Sequence, residues 1–218
     1  NLALYVFFAK NSIMTIAVVA SEAFKEELLA QGLKSDIKAE WLNKPANVPG
    51  TACYIDLLFS SGHSEELLKL QPALIIVNSV PDTTASLPEN FIRINGWNTF
   101  LKRPIVEAAC SDIPARIKAE EIFAAFNKTI EWVPDIPGFI TPRVIATVIN
   151  EAYFTLEEKV SSKEEIDIAM KLGTNYPYGP FEWSKKIGLK KIFDLLTLLA
   201  KTNARYEPSP LLKKEALL

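Results

Sequence analysis

The sequence predicts an α/β half followed by an all-helical half. Three observations carry this. Up to about residue 133, short β-branched apolar runs alternate with short amphipathic helices, the pattern of a mostly parallel sheet covered by helices. From Gly138 onward the apolar spacing is helical, with no strand-like run. Between the two, Pro134 and Pro137 stiffen the chain, which places a domain boundary there and gives domains of residues 1–134 and 135–218.

The elements follow in order. Leu2–Ala9 is apolar and suggests an extra strand or a packing arm, too short to cross a membrane. Ile13–Ala20 reads as a buried strand. Ser21 is an N-cap for a helix from Glu22 that Gly32 stops. Ser35–Leu42 holds a second strand, Asn43–Gly50 a loop, and Cys53–Phe59 a further apolar run. Ser64–Leu70 is a short helix, and Ala73–Val77, Phe91–Ile94, Pro104–Cys110 and Thr129–Val133 are strands. Pro114–Phe126 is a helix between the last two. Thr141-Pro142 is a start signal, an N-cap followed by proline at the first helical position, and the helix it opens spans residues 141–160. Ser162 caps the next helix, which Gly173 ends. Pro180–Ile187, Leu189–Asn203 and Ser209–Leu217 complete the set.

The chain has 218 residues, 49% of them hydrophobic and 23% charged, with a net charge of −2. No Lys/Arg run exceeds two residues, so nucleic acid is not expected as a partner, and no segment reads as a membrane span. Cys53 and Cys110 sit in apolar runs. They fit buried thiols in a reducing cytoplasm better than a zinc site or a disulfide framework.

Three punctuated motifs stand in order: Pro134-Asp-Ile-Pro-Gly-Phe-Ile-Thr-Pro-Arg143, Asp167-Ile-Ala-Met-Lys-Leu-Gly173 and Tyr176-Pro-Tyr-Gly-Pro-Phe-Glu182. Each alone could be only a turn or core packing. Together they resemble the C-terminal domain of the 3-hydroxyacyl-CoA dehydrogenases. The resemblance implies a shortened Rossmann-like domain ahead of the helical one, NAD as cofactor, an acyl-CoA substrate and a place in fatty acid metabolism.

By the same resemblance, Glu107 matches the family's catalytic glutamate. Asn98 stands where the family has its histidine, with a few residues deleted between them. Asn78 and Ser79 match, in inverted order, the Ser-Asn pair that meets substrate and nicotinamide. Pro142 replaces a site asparagine, and Arg143 matches an arginine with a structural role. Ala20, Ser21 and Glu40 are the positions closest to the cofactor.

The residues themselves oppose the usual cofactor mode. A dinucleotide fold needs Gly-x-Gly-x-x-Gly after its first strand, so that backbone can approach the pyrophosphate. Here Ser21-Glu-Ala-Phe-Lys-Glu-Glu27 has no glycine, and Glu22, Glu26 and Glu27 bring negative charge. Asparagine does not titrate, so Asn98 cannot act as a base. His63, the one histidine, reads as an exposed residue at a helix start, although it lies near a strand's carboxyl end.

Two readings follow, a divergent dehydrogenase or a non-catalytic relative that keeps acyl-CoA binding or dimerisation. A reductase of the wider superfamily with another substrate is a third. The apolar helix Leu189–Ala200 carries more aliphatic faces than one small core needs, which predicts a homodimer through the C-terminal helices.

Overall fold

The computed structural model describes residues 14–218. The arm expected at Leu2–Ala9 lies outside the described residues. Seven strands form one sheet: β1 (Met14–Val19), β2 (Ile37–Leu42), β3 (Thr51–Asp56), β4 (Leu74–Asn78), β5 (Phe91–Ile94), β6 (Ile105–Ala109) and β7 (Thr129–Trp132). Their order is β2-β1-β3-β4-β5-β6-β7. Every neighbouring pair is parallel except β5 and β6. The Rossmann-like α/β class expected from the sequence is therefore present.

Alternation along each strand sorts side chains to two faces. Ile16 and Val18 of β1 join Ile55, Ile76 and Ile92 in one core, against helices α1 (Glu22–Leu28) and α3 (Ile113–Ala125). Ala17 joins Tyr54, Ile75, Val77 and Phe91 on the other face, under Leu67 of α2 (Ser64–Leu68). Ser21 caps α1 as expected, with its hydroxyl accepting from Phe24 N–H at 3.4 Å. One 3-10 turn follows α1, and Gly32 ends it at φ +86°.

The helical half comprises α4 (Thr141–Glu157), α5 (Lys163–Thr174), α6 (Pro180–Ile187), α7 (Leu189–Ala200) and α8 (Pro210–Ala216). Its core also takes in Val80, Trp97, Phe100 and Ala109 from the sheet side, so the two halves share apolar packing. Ser162 caps α5 as expected and forms a capping box with Glu165, but the helix runs past Gly173. Asn175, left-handed at φ +55°, ends it instead. In α7, Ile192, Leu195, Leu196 and Leu199 are buried within the chain. The surplus that suggested an interface is largely used internally. Exposed aliphatic residues stand instead on α5, at Ile168 and Leu172, and at the start of α4, at Ile140 and Val144. Among the described residues no helix is long and apolar enough to cross a membrane.

The motif resemblance has a physical origin in this half. Asp167 of α5 accepts Phe181 N–H at 2.8 Å and Glu182 N–H at 3.1 Å, capping α6 across the turn. A Cβ at Gly179 would lie 2.2 Å from Asp167 Oδ1, so the aspartate and the glycine need each other. Tyr176 and Tyr178 pack edge-on to Trp183.

Candidate functional site

The antiparallel β5–β6 pair sets the centre of the site. Its register places Arg93 opposite Ala109 and Ile94 opposite Ala108. One step further, Asn95 faces Glu107. Asn95 N–H donates to the Glu107 carbonyl at 2.9 Å, and Asn95 Nδ2 donates to Glu107 Oε2 at 3.0 Å. Both residues are buried. The other carboxylate oxygen, Oε1, accepts Thr141 N–H at 2.9 Å and Thr141 Oγ1–H at 2.7 Å.

The residue that faces Glu107 is Asn95, which sequence reasoning missed. Asn98 makes no side-chain hydrogen bond among the described residues. Thr141 is not the N-cap of α4 but its first helical residue. The cap position is Ile140, and the sheet's own Glu107 serves the helix terminus. A carboxylate there meets free N–H groups and the positive end of the helix. Pro142, buried in that first turn, has no side-chain group to offer.

Asn78 and Ser79 are engaged internally. Asn78 Nδ2 donates to the carbonyls of Leu57 and Gly96, both at 3.1 Å, and Oδ1 accepts Gly96 N–H at 2.9 Å. A Cβ at Gly96 would come within 2.6 Å of Asn78 Cγ, so Gly96 permits this clasp. The Ser79 hydroxyl donates to Asp82, and the Ser79 carbonyl accepts from Arg93 Nε at 3.1 Å. Arg93 is fully buried and reaches Asp135 at 2.7 Å, with its guanidinium 3.9 Å from the Phe139 ring centroid. Gly138 and Phe139 are both left-handed, at φ +83° and +48°, which turns the linker into α4 beneath this arginine. Arg143 has the structural role expected, donating to the Pro137 carbonyl and to Tyr206.

The positions expected around a dinucleotide do not form a cradle. Ala20 N–H donates to the Leu42 carbonyl, and Ser21 is used by the α1 cap. Glu40 pairs with Ala17 in mid-strand rather than at a strand end, and it forms an ion pair with Lys38 at 2.6 Å. The chain passes from β1 outward to β2 and returns to β3 on the other side of β1. The switch-point crevice therefore lies beyond the carboxyl ends of β1 and β3. Beside it, Phe24 of α1 and Leu57 after β3 line a cleft that continues past the end of β4 to Asn78. With no glycine in the turn after β1, these residues do not fit a dinucleotide in the usual mode.

Glu22 and Glu26 are exposed at α1, but Glu27 faces elsewhere. Its two oxygens accept Thr99 N–H at 2.7 and 2.8 Å. Burial pushes its carboxyl up, against the Thr99 hydrogen bond and nearby lysines. Thr99 is left-handed at φ +81°, unfavourable for a β-branched residue. Lys128 supports the same loop through the carbonyls of Leu101 and Arg103, and burial pushes its ammonium down to about 8. The held loop presents Trp97 to that cleft.

His63 is not a free surface residue. Its Nδ1 lies 2.6 Å from Asp56 Oδ2, and Asp56, at the end of β3, is fully buried. Burial raises the Asp56 carboxyl, while His63 and Leu58 N–H pull it back. Among the described residues no group of three or more His, Cys, Asp or Glu could hold a metal ion.

Residues 138–217 match the family model described as 3-hydroxyacyl-CoA dehydrogenase, C-terminal domain. A 3-hydroxyadipyl-CoA dehydrogenase of Escherichia coli K12 is 40% identical over 116 residues, covering 52% of this chain but only 24% of that protein. A 3-hydroxybutyryl-CoA dehydrogenase of Bradyrhizobium diazoefficiens is 28% identical over 218 residues, covering 90% of this chain and 72% of its own length. The crystal structure of an (S)-3-hydroxybutyryl-CoA dehydrogenase from Ralstonia eutropha shares the fold with a TM-score of 0.70 at 20% identity, covering 93% of each chain. Motifs, fold and matches converge: the chain belongs to the 3-hydroxyacyl-CoA dehydrogenase family.

Proposed function

We propose that this chain keeps the ligand class of its relatives, a 3-hydroxyacyl- or 3-ketoacyl-CoA, and does not itself carry out their NAD-dependent hydride transfer. The observation that carries this is a pair of asparagines, Asn98 where the resemblance places the histidine and Asn95 on Glu107 itself. An amide there can donate a hydrogen bond to a carbonyl or hydroxyl, but it cannot take a proton at any ordinary pH. Glu107 in turn is committed to Asn95 and to the N-terminus of α4. The turn after β1 supports the same reading, because it lacks the glycine approach that a dinucleotide uses. Titration calorimetry with acetoacetyl-CoA tests it. Saturable binding is expected, and no heat of binding at about millimolar ligand would contradict it.

A second reading is a divergent dehydrogenase acting on the same substrates with NAD. Its support is the 90% of this chain that aligns with a 3-hydroxybutyryl-CoA dehydrogenase. Under that reading the turnover of acetoacetyl-CoA with NADH is measurable.

Self-association through the C-terminal helices is part of the proposal. Its support is the exposed Ile168 and Leu172 on α5, with Ile140 and Val144 at the start of α4. Light scattering should give a dimer mass, and a monomer at micromolar concentration would contradict it.

A further inference from the structure

A cleft of about 350 Å³ lies between the carboxyl ends of β3 and β4 and helix α7. Its walls are mostly apolar, with Phe24 and Trp97 buried on the sheet side and Leu58 partly exposed at the mouth. Three polar side chains reach it. Asn78 has both ends of its amide satisfied by Leu57 and Gly96. Asp194 pairs with Lys190. Lys191 alone has no ion-pair or hydrogen-bond partner among the described residues. Lys191 is therefore the one charged residue lining the cleft without a partner among the described residues.

From this lining we infer a ligand site for a small monocarboxylate with an apolar body, its carboxylate on Lys191 and its body between Phe24, Leu58 and Trp97. A free anion complements the lone cation, and the apolar walls reward a body without hydroxyls. A cleft of this size suits a medium-chain aliphatic or an arylalkyl acid. The inference rests on the reading above that the adjoining switch-point crevice does not take a dinucleotide. Asn95, Glu107 and Thr141 do not line the cleft, whereas Asn78, which the resemblance sets against substrate and nicotinamide, does.

Calorimetry on the full chain with octanoate, 1-octanol and NADH tests the site, beside Lys191→Met, an exposed position whose loss should leave thermal stability unchanged. Octanoate should bind saturably at one site per chain. Octanol, and octanoate on K191M, should each bind roughly ten-fold or more weakly, the scale of a hydrogen bond to a charged group. Equal affinity for octanoate and octanol, unchanged binding by K191M, or no saturable octanoate binding would each overturn the inference. If octanoate fails and NADH binds saturably, the underlying reading of the crevice fails as well. If both fail, only the carboxylate site does.

Discussion

Asn95 and Glu107 face each other across the β5–β6 pair, joined by a backbone bond of 2.9 Å and a side-chain bond of 3.0 Å. The same carboxylate holds the first turn of α4 through Thr141. Glu107 thus links the sheet to the helical half, and its substitution should be felt in stability. Glu107→Gln places an NH2 group where only acceptors serve, and one buried donor loses its partner. The expected cost is about 1–3 kcal/mol, read from urea unfolding midpoints. A midpoint equal to wild type would refute the capping role.

Arg93 and Asp135 form a second link, between β5 and the linker into α4. Burial pushes the Asp135 carboxyl up, but hydrogen bonds from the Thr84 hydroxyl, Arg93 and the Thr84 N–H outweigh it, so the net shift is downward. A carboxyl lowered on folding contributes stability above its unfolded value of 3.8, and that contribution disappears as pH falls through the lower folded value. Asp135→Asn should therefore be less stable than wild type at neutral pH, with the gap closing only below about pH 4. A gap that stays constant into strong acid would contradict this.

Asp167 and Gly179 should behave as one unit. Gly179→Ala forces Asp167 out of its capping position and should cost about 1–3 kcal/mol. Asp167→Ala alone should cost about 0.5–2 kcal/mol through the lost cap of α6. In the double variant the alanine at 179 meets no carboxylate, so the combined loss should be clearly smaller than the sum. Additive losses in a double-mutant cycle would show that the two positions are independent.

Much of the fold was legible because its signals are local. Ser21 and Ser162 cap helices where sequence placed them, and every strand expected in the described residues forms, within a few positions. The site was less legible because its pairings are not local. Alternating strands and helices suggested a parallel sheet, and only the antiparallel turn of β5 onto β6 puts Asn95, twelve residues from Glu107, at the carboxylate. Thr141-Pro142 had the composition of a cap, but a carboxylate from a distant strand took over that function. His63 looked exposed because nothing in its neighbourhood announces Asp56, seven residues earlier and buried at a strand end. Phe24 read as the face of a small helix. Its place in the cleft depends on the strand order, which the sequence does not state.

The central claim is that this member of the family has lost the proton acceptor and the dinucleotide cradle together. Steady-state oxidation of NADH in the presence of acetoacetyl-CoA tests it most directly, with both at about millimolar, well above ordinary KM values. The account predicts no loss of NADH absorbance beyond the rate without protein, and no saturable NADH binding. Saturable turnover that follows protein concentration would contradict it and establish the chain as a working dehydrogenase.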